Sequence, residues 1–130
     1  MKLIADVALV GDGQTLLVRY DDVTGYDGET GWFLPDDYLR RLEHPDDSAR
    51  RIARDQAGIE IVVPKLAEIE SFGNGDWHLV FHYRADLDKR PDVHPGENVK
   101  DAEWFPLAAL PDAGEVAHHG WARDVLARIA

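Results

Sequence analysis

Residues 31–59 read GWFLPDDYLRRLEHPDDSARRIARDQAGI, and the fold turns on how this stretch is organised. "WFLP" predicts a short strand that stops at Pro35, since the residue before a proline is pushed out of helical backbone. Pro45 suits the first turn of a helix, where a missing N–H costs nothing, and Asp46 and Asp47 lie beside the positive end of its dipole. Gly58 stands where a left-handed C-terminal cap is wanted, so the helix should end near Ala57. Arg51 and Asp55 are spaced as an i,i+4 pair, in the less favourable order. The stretch is therefore a strand, a loop and a charged helix closed by glycine.

Working outward, "LIADVALV" and "TLLVRY" flank the turn Gly11-Asp12-Gly13 and predict a hairpin of two buried strands. The glycine-rich "DDVTGYDGETG" then reads as a surface loop. Downstream, "IEIVVPKLAEIESFG" and "DWHLVFHYRADL" flank the turn "GNGD" and predict paired antiparallel strands. The second of them puts Trp77, Leu79, Phe81 and Tyr83 on one face, and His78, Val80, His82 and Arg84 on the other. A loop, "DKRPDVHPGEN", leads to a strand in "KDAEWFPL". Trp121, Val125 and Ile129 recur at the spacing of a helix docked by one face. No repeat or low-complexity tract interrupts the chain. Strands, helix, strands, helix is the order of a mixed sheet with helices on its faces, an α/β (α+β) arrangement, and lacks the regular alternation of a Rossmann array.

At 130 residues with 45% hydrophobic content, the chain is sized for a single folded domain, residues 1–130. Its formal net charge of -11 comes with basic residues interleaved among the acids. No basic stripe exists to neutralise a phosphate backbone, which argues against duplex DNA or long RNA. The absence of cysteine excludes disulfides, thiolate metal sites and cysteine nucleophiles. No apolar run has signal-peptide or membrane-spanning character, and the final helix lacks a membrane binder's basic face, so the expected location is cytoplasmic. A homodimer is a common outcome for so small a chain. The sequence has no G-x-S-x-G elbow and no P-loop.

The spacing within residues 37–59 resembles the Nudix box, G-x5-E-x7-R-E-U-x-E-E-x-G-U, where U is aliphatic. Glu43, Arg51, Gly58 and Ile59 match it without a gap. Asp37 stands in place of the glycine, Ile52 and Gln56 replace two glutamates, and Asp55 shortens a third. "VALVGDGQTLLVRY", "GWFLP" and "AEWFPLAALPD" resemble the family's opening hairpin, the strand entering the box and its late tryptophan-bearing strand. The resemblance covers nearly the whole chain. It implies a Nudix-like α/β/α sandwich with a mixed central sheet, and an activity in which metal-activated water cleaves a nucleoside diphosphate linked to another moiety.

Such chemistry needs divalent ions on carboxylates to neutralise phosphoryl oxygens, and Mg²⁺ or Mn²⁺ prefers oxygen ligands. At about 100° per residue, positions 52, 55 and 56 share one side of the helix. That side presents Ile52, Asp55 and Gln56, a set predicting weak ion binding. The resemblance makes Glu43 and Asp55 candidate catalytic acids and gives Asp55, Gln56, Asp37 and Glu97 as candidate metal ligands. For Ile52 the core reading dominates. Asp55 is alternatively a solvated partner of Arg51, and Glu43 is either a functional acid or an Arg51 partner fastening the loop. Asp37, with Asp36 beside it, either returns carboxylates to the cleft or is a turn residue adopting a glycine-like backbone.

Arg19, Arg51 and Trp32 are the candidate substrate-binding residues: Arg19 resembles a residue the family aims at the diphosphate, which a guanidinium grips in bidentate fashion. Trp32, Trp77 and Tyr83 are platforms for a base or else core aromatics. His78 and His82, four residues apart on one strand, are too distant for one ion, and neither His94 nor His118-His119 suggests zinc. Two functions follow. One is a hydrolase with a weakened metal site; the other is an inactive module that binds a nucleotide-like small ligand or a protein partner.

Overall fold

A computed structural model describes all 130 residues. Six strands and two main helices follow in the order β1 (Lys2–Gly11), β2 (Gln14–Tyr20), β3 (Asp36–Tyr38), α1 (Pro45–Ala57), β4 (Lys65–Phe72), β5 (His78–Asp86), β6 (Val99–Pro106) and α2 (Ala117–Ile129), with short 3-10 turns at Thr24–Tyr26 and Ala113–Glu115. The sheet runs β4-β5-β1-β2-β6, with β3 also on β1. It is mixed because β1 and β5 pair in parallel, from Lys2↔His78 to Val10↔Asp86, whereas the other ladders are antiparallel.

Alternation along β1 divides the core. Ala5, Val7 and Leu9 face α1 and pack with Ile52, Ala53 and Ala57. Ala8 and Val10 face the other way and meet Val125 and Leu126 of α2. A strand covered on both faces reads as a mostly apolar run, and "LIADVALV" is apolar except for Asp6, which is buried against His82. The result is the α/β/α sandwich with a mixed sheet that the sequence implied.

The hairpin turns on Asp12 (φ 53°) and Gly13 (φ 71°), the primed geometry that matches strand twist. β1 and β2 pair only next to that turn, at Val10↔Thr15 and Gly11↔Gln14. Beyond it they part, and residues 32–38 enter the gap. Phe33 bridges to Val18, the Val7 N–H donates to the Pro35 carbonyl, and β3 pairs with β1 through Asp6↔Asp36 and Ala5↔Asp37.

Several local expectations are corrected. "WFLP" forms isolated bridges, and the ladder starts after Pro35 instead of ending there. In the same way β4 begins at Lys65, after Pro64, because proline supplies no N–H to a ladder. Ile59 and Ile61 are buried nonetheless, as loop residues under α1. In α2, His118, His119 and Gly120 carry left-handed backbone (φ 54°, 58° and 90°), so regular right-handed turns begin at Trp121.

Candidate functional site

α1 is built as its sequence suggested. The His44 ring accepts the Asp46 N–H, Pro45 opens the first turn, and Gly58 closes the helix at φ 68°, its N–H on the Arg54 carbonyl and that of Ile59 on the Ala53 carbonyl. A buried knot fastens the preceding loop to it. The Arg51 guanidinium donates to Glu43 from Nε (2.9 Å) and Nη2 (3.0 Å), to Asp37 from Nη1 (3.0 Å) and to the Tyr38 carbonyl (3.0 Å). Glu43 also accepts from the Ser48 hydroxyl (2.6 Å) and the Arg40 N–H (3.1 Å). The Arg51 and Glu43 side chains are 6% and 14% exposed. Hydrogen bonds from Arg51 outweigh burial and draw the Glu43 carboxyl down to about 2, while Glu43 raises the pKa of Arg51.

The helix side expected to face an ion is closed. Ile52 is wholly buried in the core. Gln56 is buried too, and both ends of its carboxamide are engaged: Nε2 donates to the Asp36 carbonyl (2.7 Å) and Oε1 accepts from the Tyr20 hydroxyl (2.7 Å). Tyr20 in turn accepts the Asp36 N–H (3.1 Å), and the Tyr26 hydroxyl reaches the same carbonyl (3.3 Å). Burial raises the pKa of both phenols, so they remain neutral donors. Asp55 is exposed and pairs with Arg54 (3.2 Å). Its expected pairing with Arg51 does not form, because that guanidinium is drawn toward Glu43. Glu97 lies beside this end of α1, since the Gly96 N–H bonds the Gln56 carbonyl (3.1 Å). A Cβ on Gly96 would strike the Asp55 carbonyl.

The opposite face of the sheet holds a cavity of about 420 Å³. Ile4, Asp36 and Tyr38 of the sheet line it, along with Tyr26 of the first 3-10 turn, Asp27 that caps it, and Glu70, Phe72 and His78 of the β4–β5 ribbon. His118 and Trp121 of α2 close its side, and Asp37 forms part of its rim. Asp37 is in extended β3 backbone, with no glycine-like geometry. Asp36 is 7% exposed, and its backbone is fixed by Tyr20, Gln56 and β1. Its carboxyl meets no protein donor; burial first, and then Asp6, Asp37 and Asp27, push its pKa well above the usual carboxylate range.

Beside Asp36 runs a chain of buried charges. His82, wholly buried, meets Asp6 through Nδ1 (2.7 Å) and Glu70 through Nε2 (2.6 Å). Burial alone would lower its pKa, but the two acids outweigh that and raise it. Glu70 further accepts from Arg128 (2.9 Å) and the Trp121 indole (3.3 Å). Glu68, Glu70 and His82 offer ligand atoms within 4.8 Å of one another. Arg128 grips both glutamates and His82 has a partner on each ring nitrogen, so the cluster is satisfied by cations of the protein itself.

Arg19 and Trp32 stand elsewhere. Arg19 pairs with Asp101 (2.7 Å), and its guanidinium lies 4.6 Å over the Trp32 ring, which is itself buried against Phe105. The cavity brings together Asp36 and Asp37, which the sequence had paired, with Tyr26, Asp27, Glu70, His118 and Trp121, which it had not. Gly120 after two histidines is the one sequence signal that could have marked the break at residues 118–120, where the backbone is left-handed.

Residues 2–128 match the model of the NUDIX domain. The chain belongs to the NUDIX family. Solved structures agree on the fold: this Nudix domain superposes with a TM-score of 0.81 on a MutT NUDIX hydrolase from Burkholderia pseudomallei, at 20% identity over 99% of this chain and 98% of that one. An Ap4A hydrolase from C. elegans gives 0.74, at 18% identity over 98% and 94%. The NUDIX domain of Shewanella oneidensis NrtR, complexed with ADP ribose, gives 0.67 at 19% identity over 83% and 74%. No curated protein matches this chain in sequence.

Proposed function

We propose that this Nudix domain binds a nucleotide-type small molecule in the cavity between β1, β3 and the start of α2, and that its box helix serves the fold instead of caging an ion. One observation carries the reading: both ends of the Gln56 carboxamide are bonded within the protein while Ile52 is wholly buried. Nudix hydrolases generally use divalent metals, and this donor set does not suit one. A cation needs free oxygen ligands, and affinity follows the number of charged ones; here only exposed Asp55 remains. The ADP ribose and Ap4A of the similar structures favour a nucleotide-type ligand, and the aromatic walls suit a flat ring.

A second reading is hydrolysis of a nucleoside diphosphate linked to another moiety. It is favoured by the loop that carries Glu97, whose neighbour Gly96 is fastened against the backbone of Asp55 and Gln56 at the end of the box helix. Glu43 and Arg51 would then act through Asp37 at the cavity rim.

Thermal melting with millimolar Mg²⁺ or Mn²⁺, alone and with ADP-ribose or nucleosides, separates the two. Binding raises the melting temperature by mass action. The binding reading expects a shift with nucleosides, none with the ions alone, and no turnover. An ion-induced shift accompanied by cleavage of ADP-ribose would overturn it in favour of hydrolysis.

A further inference from the structure

We propose that Asp36 is a specificity-determining residue of the cavity, selecting a flat ring with two adjacent N–H donors, as on the N1–H and 2-amino edge of guanine. This rests on the reading that the cavity takes a nucleotide-type ligand. Buried polar groups almost always have a partner. Asp36 is 7% exposed and faces the cavity, yet its carboxyl has none, although the same residue's N–H and C=O are both hydrogen-bonded. Burial beside Asp6, Asp37 and Asp27 raises its pKa, as expected where the protein supplies no compensating donor.

The surroundings narrow the ligand. Asp27, Asp37 and Glu70 also line the cavity, but each is paired with a cation outside its lining, Lys2, Arg51 and Arg128 in turn, which leaves Asp36 as the acid whose acceptors are free. Glu70 is held in place by His82, Trp121 and Arg128. The apolar surfaces are flat: Phe72 and His78 stack at 5.1 Å with 3° between planes, and Trp121 stands edge-on to Phe72. Paired N–H donors on a ligand favour the ionised carboxylate against the burial that raises its pKa, and its two oxygens then accept them side by side. A base presenting a ring-nitrogen lone pair there, as adenine does, would set acceptor against acceptor.

The test titrates the full chain with guanosine, inosine and adenosine, following tryptophan fluorescence or heat. Nucleosides keep phosphate and metal out of the measurement. Guanosine should bind about tenfold more tightly than inosine, which lacks the 2-amino group, and than adenosine, as expected for one hydrogen bond to a charged group. Asp36→Asn, which leaves a single acceptor oxygen, should bring guanosine to within about threefold of inosine. Its circular dichroism should match the wild type, and Asp36→Leu should lose the same preference. Equal binding of the three nucleosides, or a variant that keeps full discrimination, would overturn this inference and leave the nucleotide-type reading standing. Binding of none would overturn both, and tighter binding of benzamidinium than of guanosine would assign the cavity to cations.

Discussion

Under α1, Arg51, Glu43, Asp37 and Ser48 satisfy one another and Gln56 is bonded at both ends to Asp36 and Tyr20, whereas on the α2 face Asp36 is buried without a donor although Asp6, His82 and Glu70 are chained together beside it. The first region has the character of a structural clamp, because polar groups that complete each other's bonds gain nothing from a ligand. The second has the character of a site. A buried acceptor that the fold leaves unpaired lowers stability, and it persists where some other task requires it.

The largest effect should come from breaking the clamp. Arg51→Leu leaves Glu43 and Asp37 without their cation and should cost about 3–5 kcal/mol in urea unfolding; a loss below about 1 kcal/mol would show that the knot is ornamental. The clamp also sets an acid limit. The Glu43 pKa falls from an ordinary 4.5 to about 2 in the folded state, so its contribution is present above pH 4.5 and is lost as pH falls toward 2. Glu43→Gln should therefore flatten the dependence of stability on pH across that window.

Next comes the closure around Gln56. Gln56→Glu turns a donor to the Asp36 carbonyl into an acceptor and should destabilise by about 1–3 kcal/mol. Mn²⁺ should recover part of that loss in the variant but not in the wild type, as thermal melting would show. Recovery in neither would mean that the helix face cannot be reopened by one charge.

Asp36→Leu is expected to act in the opposite direction, stabilising by about 1 kcal/mol, since an unpaired buried carboxyl is replaced by an apolar group. The sign against pH is fixed. The folded pKa lies above 3.8, so the cost of keeping Asp36 grows as pH rises above that value, and the gain should be greater at neutral than at acid pH. Smallest of all, Asp55→Ala removes one exposed pair with Arg54 and should change stability by under about 0.5 kcal/mol.

Much of the clamp was legible. Glu43 as a partner of Arg51 and Ile52 as a core residue are readings of spacing and helical periodicity, and the caps of α1 follow from Pro45 and Gly58. Strand limits at Pro35 and Pro64 were less so: proline marks a break in the pattern without saying which side the ladder lies on. The cavity was mostly illegible. Glu70, His118 and Trp121 are distant in sequence from Asp36, and each has a plausible role as a surface acid, a helix start or a core aromatic when read locally.

The chain's own pattern determined the mixed sheet, the two covering helices and the polar economy of the box helix, because these depend on local periodicity, caps and residue type. Tertiary structure alone decided that β1 and β2 part to admit residues 32–38, that Gln56 turns its amide onto the Asp36 carbonyl, and that the Asp36 carboxyl is left facing an aromatic cavity. Those outcomes depend on which groups meet across the sheet, and a hydrogen bond between residues 20 positions apart leaves no periodic trace in sequence.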